Sequence, residues 1–243
     1  SNRSNPASYM KIYDDIRKIM SESPDAKKVS LRPGDFSFNT DGGRCDDCKG
    51  DGKKKIEMQF LSDLEVDCDS CNGKKFKDHI LDIQYKGQNI NNILDFTVDE
   101  ARRFFENNKK ITDKLDILSS VGLDYLQLGQ PSNTLSGGES QRIKIAKSLL
   151  AKNSTNVLYI LDEPSIGLHL EDLKNLINTF ELIIEKENSI IVIEHNVELI
   201  KIADHIIDMG PGGGSNGGKI IATGTPEEIQ KNRLSIIGQY LSL

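Results

Sequence analysis

Leu135-Ser-Gly-Gly-Glu-Ser-Gln-Arg-Ile-Lys-Ile-Ala-Lys-Ser-Leu-Leu-Ala-Lys152 is the stretch whose reading decides the fold. Ser136 and Glu139 stand at capping-box spacing, which predicts a helix beginning at Ser136. Ile143, Ala146, Leu149 and Leu150 follow as one apolar stripe at helical spacing. Gly137 and Gly138 fall in the first turn, where each glycine weakens a helix by up to about 1 kcal/mol. Two glycines there make sense where something must approach the backbone closely. Bare N–H groups at a helix N-terminus beside a serine hydroxyl suit a phosphate, with plain capping as the alternative that the local pattern leaves open.

Downstream, Val157-Leu-Tyr-Ile-Leu161 is a continuous apolar run ending in Asp162-Glu163-Pro164, which reads as a parallel strand buried on both faces. Leu170, Leu173, Leu176, Ile177, Phe180 and Ile184 stripe the next helix. Ser189 to Ile193 is a second buried strand, ending in Glu194-His195. A helix bearing Val197, Leu199, Ile200 and Ala203 follows. Two short edge strands, His205–Met209 and Lys219–Ala222, flank the loop Pro211–Gly218. Thr225 and Glu228 cap a last helix with Pro226 at its first position. Strand, helix, strand, helix predicts an α/β layer arrangement whose ligands sit beyond the strand carboxyl ends. At those ends Asp162 and Glu163 can divide two tasks, one holding Mg²⁺ and the other positioning or polarising a water. His195 on the neighbouring strand can donate to a terminal phosphate. Ordinary solvation would explain any one of these residues; their coincidence with the Ser-Gly-Gly helix weighs against it.

Upstream, Tyr9, Ile12, Ile16 and Ile19 mark one face of a helix ending near Ser21-Glu-Ser-Pro24, with polar loop through Lys28. Leu31-Arg-Pro-Gly34 reads as a turn and Phe36-Ser-Phe38 as a short strand. Then come the four cysteines of the chain, Cys45-Asp-Asp-Cys48 and, after nineteen residues, Cys68-Asp-Ser-Cys71. Two such pairs suit a tetrahedral Zn²⁺ site, because a tight pair brings its sulfurs about 3.7 Å apart and the far pair closes the tetrahedron. Gly50 and Gly73 fit the turns after each pair. Two disulfides are the rival, a poor one for a cytoplasmic chain with no other cysteine. Arg44, Lys49, Lys53, Lys54 and Lys55 could offset the charge of four thiolates on zinc. The rim of Lys53–Lys55, Lys74, Lys75 and Lys77 is interleaved with Asp46, Asp47, Asp51, Asp67 and Asp69, so a solvated face and a phosphate track both stay open. Within the insert, Ile56, Met58, Phe60 and Leu61 suggest a strand bending into a small core.

Beyond the insert, Ile80–Tyr85 alternates like a strand, with a turn at Lys86-Gly-Gln88. Thr97 and Glu100 cap a helix reaching about Asn107, and Ile111–Val121 is another, with Gly122 as its C-cap. Leu126–Pro131 is the loop leading to Leu135.

The totals set the class. With 243 residues the chain can form one large or two small domains. No run approaches the roughly 18 apolar residues of a membrane span, and no apolar stretch near the start resembles a signal peptide, so a cytoplasmic protein without membrane contact is expected. A formal charge of −6 argues against wholesale wrapping of nucleic acid while allowing a local basic face. Ser1-Asn2 reads as a cloning remnant and Arg3–Pro6 follows no strand, so a piece of a longer chain is expected.

Leu135–Arg142 resembles the signature of ABC-type ATPases, Leu158–Glu163 their Walker B segment, Pro164–His169 their D-loop and His195 their switch histidine. Gly42-Gly-Arg-Cys-Asp-Asp-Cys-Lys-Gly-Asp-Gly52, Leu128-Gly-Gln-Pro131, Tyr159–His169 and Ile193-Glu-His-Asn196 narrow the resemblance to the second nucleotide-binding half of the UvrA family, across essentially the whole chain from Arg3. The resemblance implies a partial ABC-type nucleotide-binding domain with an inserted zinc module. Residues 1–40 would be a helical lead-in and 41–77 the four-cysteine zinc module. Residues 78–134 would form a helical subdomain and 135–243 the signature, Walker B and switch-histidine part. It implies that Ser136, Gly137 and Gly138 contact the γ-phosphate of ATP held by an opposing nucleotide-binding domain. Asp162 would help hold Mg²⁺, Glu163 would be the catalytic base, His195 would sense the γ-phosphate, and Cys45, Cys48, Cys68 and Cys71 would hold zinc. The implied role is ATP-dependent recognition of damaged double-stranded DNA in excision repair, as a homodimer that loads UvrB.

ATP also needs a loop of the form Gly-x-x-x-x-Gly-Lys-Ser/Thr between a strand and a helix. The nearest match, Gly213-Gly-Ser-Asn-Gly-Gly-Lys219, is a decoy, because Ile220 stands where Mg²⁺ needs a hydroxyl and a strand is expected next. The resemblance puts the true loop upstream of Arg3, so this chain by itself is expected to be inactive. The rivals are another ABC-type ATPase, disfavoured by the cysteine insert, and a zinc-dependent nucleic-acid-binding module without catalysis.

Overall fold

The computed structural model describes residues 3–56, 64–150, 155–166, 168, 170–214 and 217–241. Met58, Phe60 and Leu61 of the insert, Gly167 and His169 of the expected D-loop, and the side chain of Leu170 lie outside the described residues. By packing, the chain divides into two units, Ser1–Ser154 and Thr155–Leu243.

The first unit runs α1 (Pro6–Tyr9), α2 (Ile12–Glu22), α3 (Pro24–Lys28), β1 (Lys53–Ile56), β2 (Leu64–Asp67), α4 (Asp78–Leu81), α5 (Ile90–Asp95), α6 (Val98–Phe104), α7 (Lys109–Ser120), a 3-10 turn at Ser132–Thr134 and α8 (Gly137–Leu149). Ile12, Tyr13, Ile16 and Met20 form the buried stripe of α2. They share a core with Ile111, Leu115 and Leu118 of α7 and Val98 and Ala101 of α6. Asp15 pins α2 to α7, accepting from Lys110 at 2.5 Å and Lys114 at 2.6 Å. Burial raises this carboxyl, but the two ammonium groups outweigh it and hold it below its ordinary value. Thr97 and Glu100 close the expected capping box of α6, and Gly122 has the left-handed φ of +74° expected just past α7.

Three local expectations are corrected here. Residues 24–28 are not loop: Ser23 caps α3 through the N–H of Ala26, with Pro24 at the first turn. Phe36-Ser-Phe38 is not a strand. Both phenylalanines are fully buried, and the Tyr13 hydroxyl donates to the Phe36 carbonyl at 2.6 Å while accepting from the Phe38 N–H, which bends the chain. Ile80–Tyr85 is not a strand either: it starts inside α4 with Ile80 buried, and only Tyr85 pairs, with Gln88 across the Lys86-Gly87 turn.

The second unit runs β3 (Leu158–Asp162), α9 (Leu170–Ile184), β4 (Ser189–Ile193), α10 (Val197–Lys201), β5 (Ile206–Gly210), β6 (Lys219–Gly224), α11 (Pro226–Lys231) and α12 (Ile236–Leu241). β3 and β4 are parallel and paired from Leu158–Ser189 to Asp162–Ile193, so the two strands end level. β5 and β6 form an antiparallel hairpin. Because β6 begins at Lys219, the glycine loop before it leads into a strand, unlike a phosphate loop. Leu173, Leu176, Phe180 and Ile183 are the buried side of α9, which packs on β4; Ile184, expected on that stripe, is half exposed.

The β3–β4 layer is parallel as expected but is not covered on both faces among the described residues. Leu158, Ile160, Ile191 and Ile193 are 54 %, 65 %, 51 % and 54 % exposed, while Leu161 between them is buried. An uninterrupted apolar run looks the same in sequence whether one face or both are covered. By packing, the Ser136 helix belongs with the first unit and the strand-end acids with the second, whereas the sequence reading grouped them by chemistry.

Candidate functional site

The cysteine cluster forms from two matching knuckles. After Cys48 the chain turns through Lys49 and Gly50, at φ +51° and +86°; after Cys71 it turns through Asn72 and Gly73, at φ +48° and +76°. Gly50 is required twice over, since a Cβ there would also stand 1.9 Å from the Phe38 carbonyl oxygen. The β1–β2 hairpin joins the knuckles, and the Cys68 N–H bonds to the Gly52 carbonyl at 2.9 Å.

All four cysteines are buried free thiols whose sulfurs lie within 4.8 Å of one another. Cys45 and Cys68 are 4.0 Å apart at Sγ, and Cys48 and Cys71 are 3.6 Å apart. Those spacings bracket the roughly 3.7 Å edge of a tetrahedron with Zn–S bonds of about 2.3 Å, so the donor set fits zinc. Both of these pairs join one knuckle to the other, so the two knuckles face one centre. Burial pushes Cys71 up to about 12. Cys68 feels burial too, but the N–H groups of Cys71 and Ser70 outweigh it and lower that thiol to about 7. A cation is what would let all four ionise together.

The basic rim resolves into ion pairs. Lys77 reaches Asp46 at 2.9 Å, Lys54 reaches Asp47 at 3.5 Å, and Lys53 lies 3.9 Å from Glu65. The Lys75 ammonium sits over the Phe38 ring at 5.4 Å. Much of this charge is therefore matched within the module, and Ile56, expected in its core, is half exposed at the hairpin.

Ser136 caps α8 as its spacing implies. Its hydroxyl accepts from the Glu139 N–H at 3.2 Å, and its own N–H donates to Glu139 Oε2 at 2.8 Å. The other Glu139 oxygen accepts from the Tyr125 hydroxyl at 2.9 Å. Tyr125 in turn accepts from buried Arg142 at 3.4 Å. This support was missed in the sequence, where Tyr125 is one more loop residue. Ser136 and Gly137 are exposed, and a Cβ on Gly137 would meet no heavy atom within 4 Å. Packing within the chain therefore does not demand glycine there.

In the second unit the level ends of β3 and β4 bring Glu163 and His195 together. Glu163 has the left-handed φ of +44°, a conformation costing a non-glycine residue about 1 kcal/mol or more. Its N–H donates to the Ile193 carbonyl at 2.8 Å. So turned, its carboxylate lies 3.7 Å from His195 Nδ1. Asp162, one residue earlier, is the last paired residue of β3 and is exposed. Glu194, between the strand and His195, accepts from the Ser165 N–H at 2.9 Å on one oxygen. Its other oxygen accepts from the N–H groups of His195 at 2.8 Å and Asn196 at 2.9 Å.

A family model described as ABC transporter matches residues 54–166. With the relatives that follow, that match places this α/β chain and its cysteine insert in the ABC-type ATPase superfamily. The chain is 52 % identical over 239 residues to the UvrABC system protein A of Aquifex aeolicus, covering 98 % of this chain and 26 % of that protein. Against the UvrABC system protein A of Methanothermobacter thermautotrophicus it is 51 % identical over 227 residues, 93 % of this chain and 24 % of the other. The crystal structure of UvrA2 from Deinococcus radiodurans superposes with a TM-score of 0.95 at 40 % identity, over 100 % of this chain and 30 % of that one. The chain belongs to the UvrA family. It spans about a quarter of the length of the curated relatives it matches.

Proposed function

We propose that this chain works as part of a longer ATP-dependent DNA-damage recognition protein of bacterial nucleotide excision repair, to which it supplies two half-sites and a structural zinc centre. The observation that carries this reading is the approach of Glu163 to His195 at the level carboxyl ends of two parallel strands, where α/β layers bind ligands. Glu163 takes a proton from the attacking water, and its unusual backbone aims the carboxylate beyond the strand end. His195, held beside it, donates to the γ-phosphate through its other ring nitrogen. Asp162 holds Mg²⁺ directly or through water; that ion, when bound, neutralises phosphate charge.

Ser136, Gly137 and Gly138 serve a second nucleotide, bound by an opposing domain, through the hydroxyl and the exposed first turn of α8. The open space at Gly137 supports such an approach from outside. Cys45, Cys48, Cys68 and Cys71 hold Zn²⁺, supported by their mutual spacing and burial. Among the described residues no helix is long and apolar enough to cross a membrane, which is compatible with the cytoplasmic setting proposed. The partners that follow are a second copy of the full protein, UvrB and damaged double-stranded DNA.

The test is Glu163→Gln in the full-length protein. The amide keeps the shape and loses the base, so nucleotide binding is retained while turnover from this half falls roughly 100-fold or more. Turnover at the parent rate from this half would overturn the role of Glu163.

A further inference from the structure

The Glu163–His195 approach depends on two loops that nothing covalent joins. One leaves β3 through Glu163, Pro164 and Ser165; the other leaves β4 through Glu194, His195 and Asn196. Between Glu163 and His195 themselves stands only the 3.7 Å contact of two exposed side chains, and an exposed ion pair of that kind holds little geometry. Glu194 supplies what that pair lacks. Its side chain is half-buried and both oxygens are engaged, one on the loop after β3 and the other on its own loop. Three backbone N–H groups converge on the carboxylate. Glutamate is specific here: an acceptor-only group with two oxygens suits these three donors on its two sides, and an amide would turn an NH₂ toward one side of them.

We propose that Glu194 is a positioning residue for ATP hydrolysis, a carboxylate clamp that ties the segment following Glu163 to the backbone of His195. This rests on the reading of Glu163 and His195 given above. The clamp acts on the loop backbones and touches neither nucleotide nor water. The environment agrees: burial raises the carboxyl, but the Ser165 hydroxyl and the N–H groups of Asn196, Ser165 and His195 outweigh it and hold it below its ordinary value. With the clamp released, Glu163 keeps its bond to the Ile193 carbonyl, but the segment after it is no longer tied to the His195 loop and the base drifts from the water it must meet. A displacement of about 1 Å at a reacting group can cost up to 100-fold in rate.

The experiment compares Glu194→Gln, Glu194→Asp and Glu163→Gln with the parent in the full-length protein. It reads steady-state ATP turnover and amide hydrogen exchange over residues 163–168 and 194–197. Glu194→Gln is expected to lower kcat roughly 10- to 100-fold with KM for ATP unchanged within about twofold. Exchange at Ser165 should rise by roughly 10-fold or more as a charge-assisted bond is lost. Glu194→Asp separates a clamp from a local cap. The shorter acid still reaches the N–H groups of its own loop but no longer Ser165, so exchange at His195 and Asn196 stays slow while kcat falls as in Glu194→Gln. Parent kcat in Glu194→Gln, or full rescue by Glu194→Asp, overturns the clamp while a dead Glu163→Gln leaves the reading of the site standing. Parent turnover in Glu163→Gln overturns that reading, and the clamp with it.

Discussion

At Gly137 nothing within the chain requires glycine. A methyl group there would meet nothing within 4 Å, and the position opens a helix already capped by Ser136 and Glu139. Gly137→Ala should therefore leave the fold intact and raise stability by up to about 1 kcal/mol, or a few degrees in Tm at this size. If the first turn of α8 meets a nucleotide across an interface, the same methyl obstructs it, and turnover of the full-length protein falls although stability does not. Thermal denaturation beside a phosphate-release assay checks both. Undiminished turnover would mean that no ligand uses the space. Ser136, Glu139 and the glycines were legible in the sequence because capping is an affair of four consecutive residues. Tyr125 and Arg142 were not, because their bonds to the capping box span a loop whose path no local pattern gives. Glu194 was visible as an acid at a strand end, but its partner Ser165 lies 29 residues away, and the left-handed backbone of Glu163 carries no sequence signal.

Among the elements, those with local causes were legible. The capped helices α6, α8 and α11 begin where their Ser or Thr residues imply. Alternation misled at Phe36–Phe38 and Ile80–Tyr85, since period two marks a strand only where a neighbour supplies the ladder. At the first of these, Tyr13 claims the backbone groups instead. The β1–β2 hairpin shows the opposite case, a weak element fixed by chemistry. Its strands have four residues each, its apolar ends Ile56 and Leu64 are half exposed, and an isolated hairpin is marginal in water. Zinc binding worth about 10–16 kcal/mol in small modules would exceed anything its packing offers. One zinc per chain is expected by elemental analysis. Cys68→Ser or chelation should speed hydrogen exchange over residues 44–56 and 64–76. The disturbance should reach Phe76 and Phe38, which meet edge to face, and the Tyr13 ring stacked on Phe38 at 4.7 Å. It should fade along α2, where Ile12, Ile16 and Met20 have a core of their own. β3 and β4 should be unaffected. Unchanged protection in metal-free protein would show that the cysteines pack without needing an ion.

For the whole molecule, the two half-sites and the open sheet face have one consequence. On the proposed reading Glu163, His195 and Asp162 act on a terminal phosphate and its metal, but no Gly-x-x-x-x-Gly-Lys-Ser/Thr run exists in the 243 residues to cradle the rest of the nucleotide. The one near-match runs directly into β6. A helix N-terminus and a pair of carboxylates supply only part of the binding and catalytic electrostatics. The same unit leaves Leu158, Ile160, Ile191 and Ile193 in a row on one face of β3–β4, and a contiguous apolar patch on a soluble protein marks a surface for something else to cover. The 243-residue chain alone is therefore expected to show no micromolar binding in a calorimetric titration with Mg·ATP and no phosphate release above background. It should also bind a hydrophobic dye at the open sheet face. If one layer of the full-length protein both covers the sheet and brings the phosphate loop, dye binding should fall and ATP binding appear together. Hydrolysis should further require Ser136 in the opposing half, so Ser136→Arg should depress turnover more than nucleotide binding in its own half. Micromolar binding by the isolated chain, with turnover lost in Glu163→Gln, would mean that these residues complete a phosphate cradle by themselves, and the half-site reading would fall.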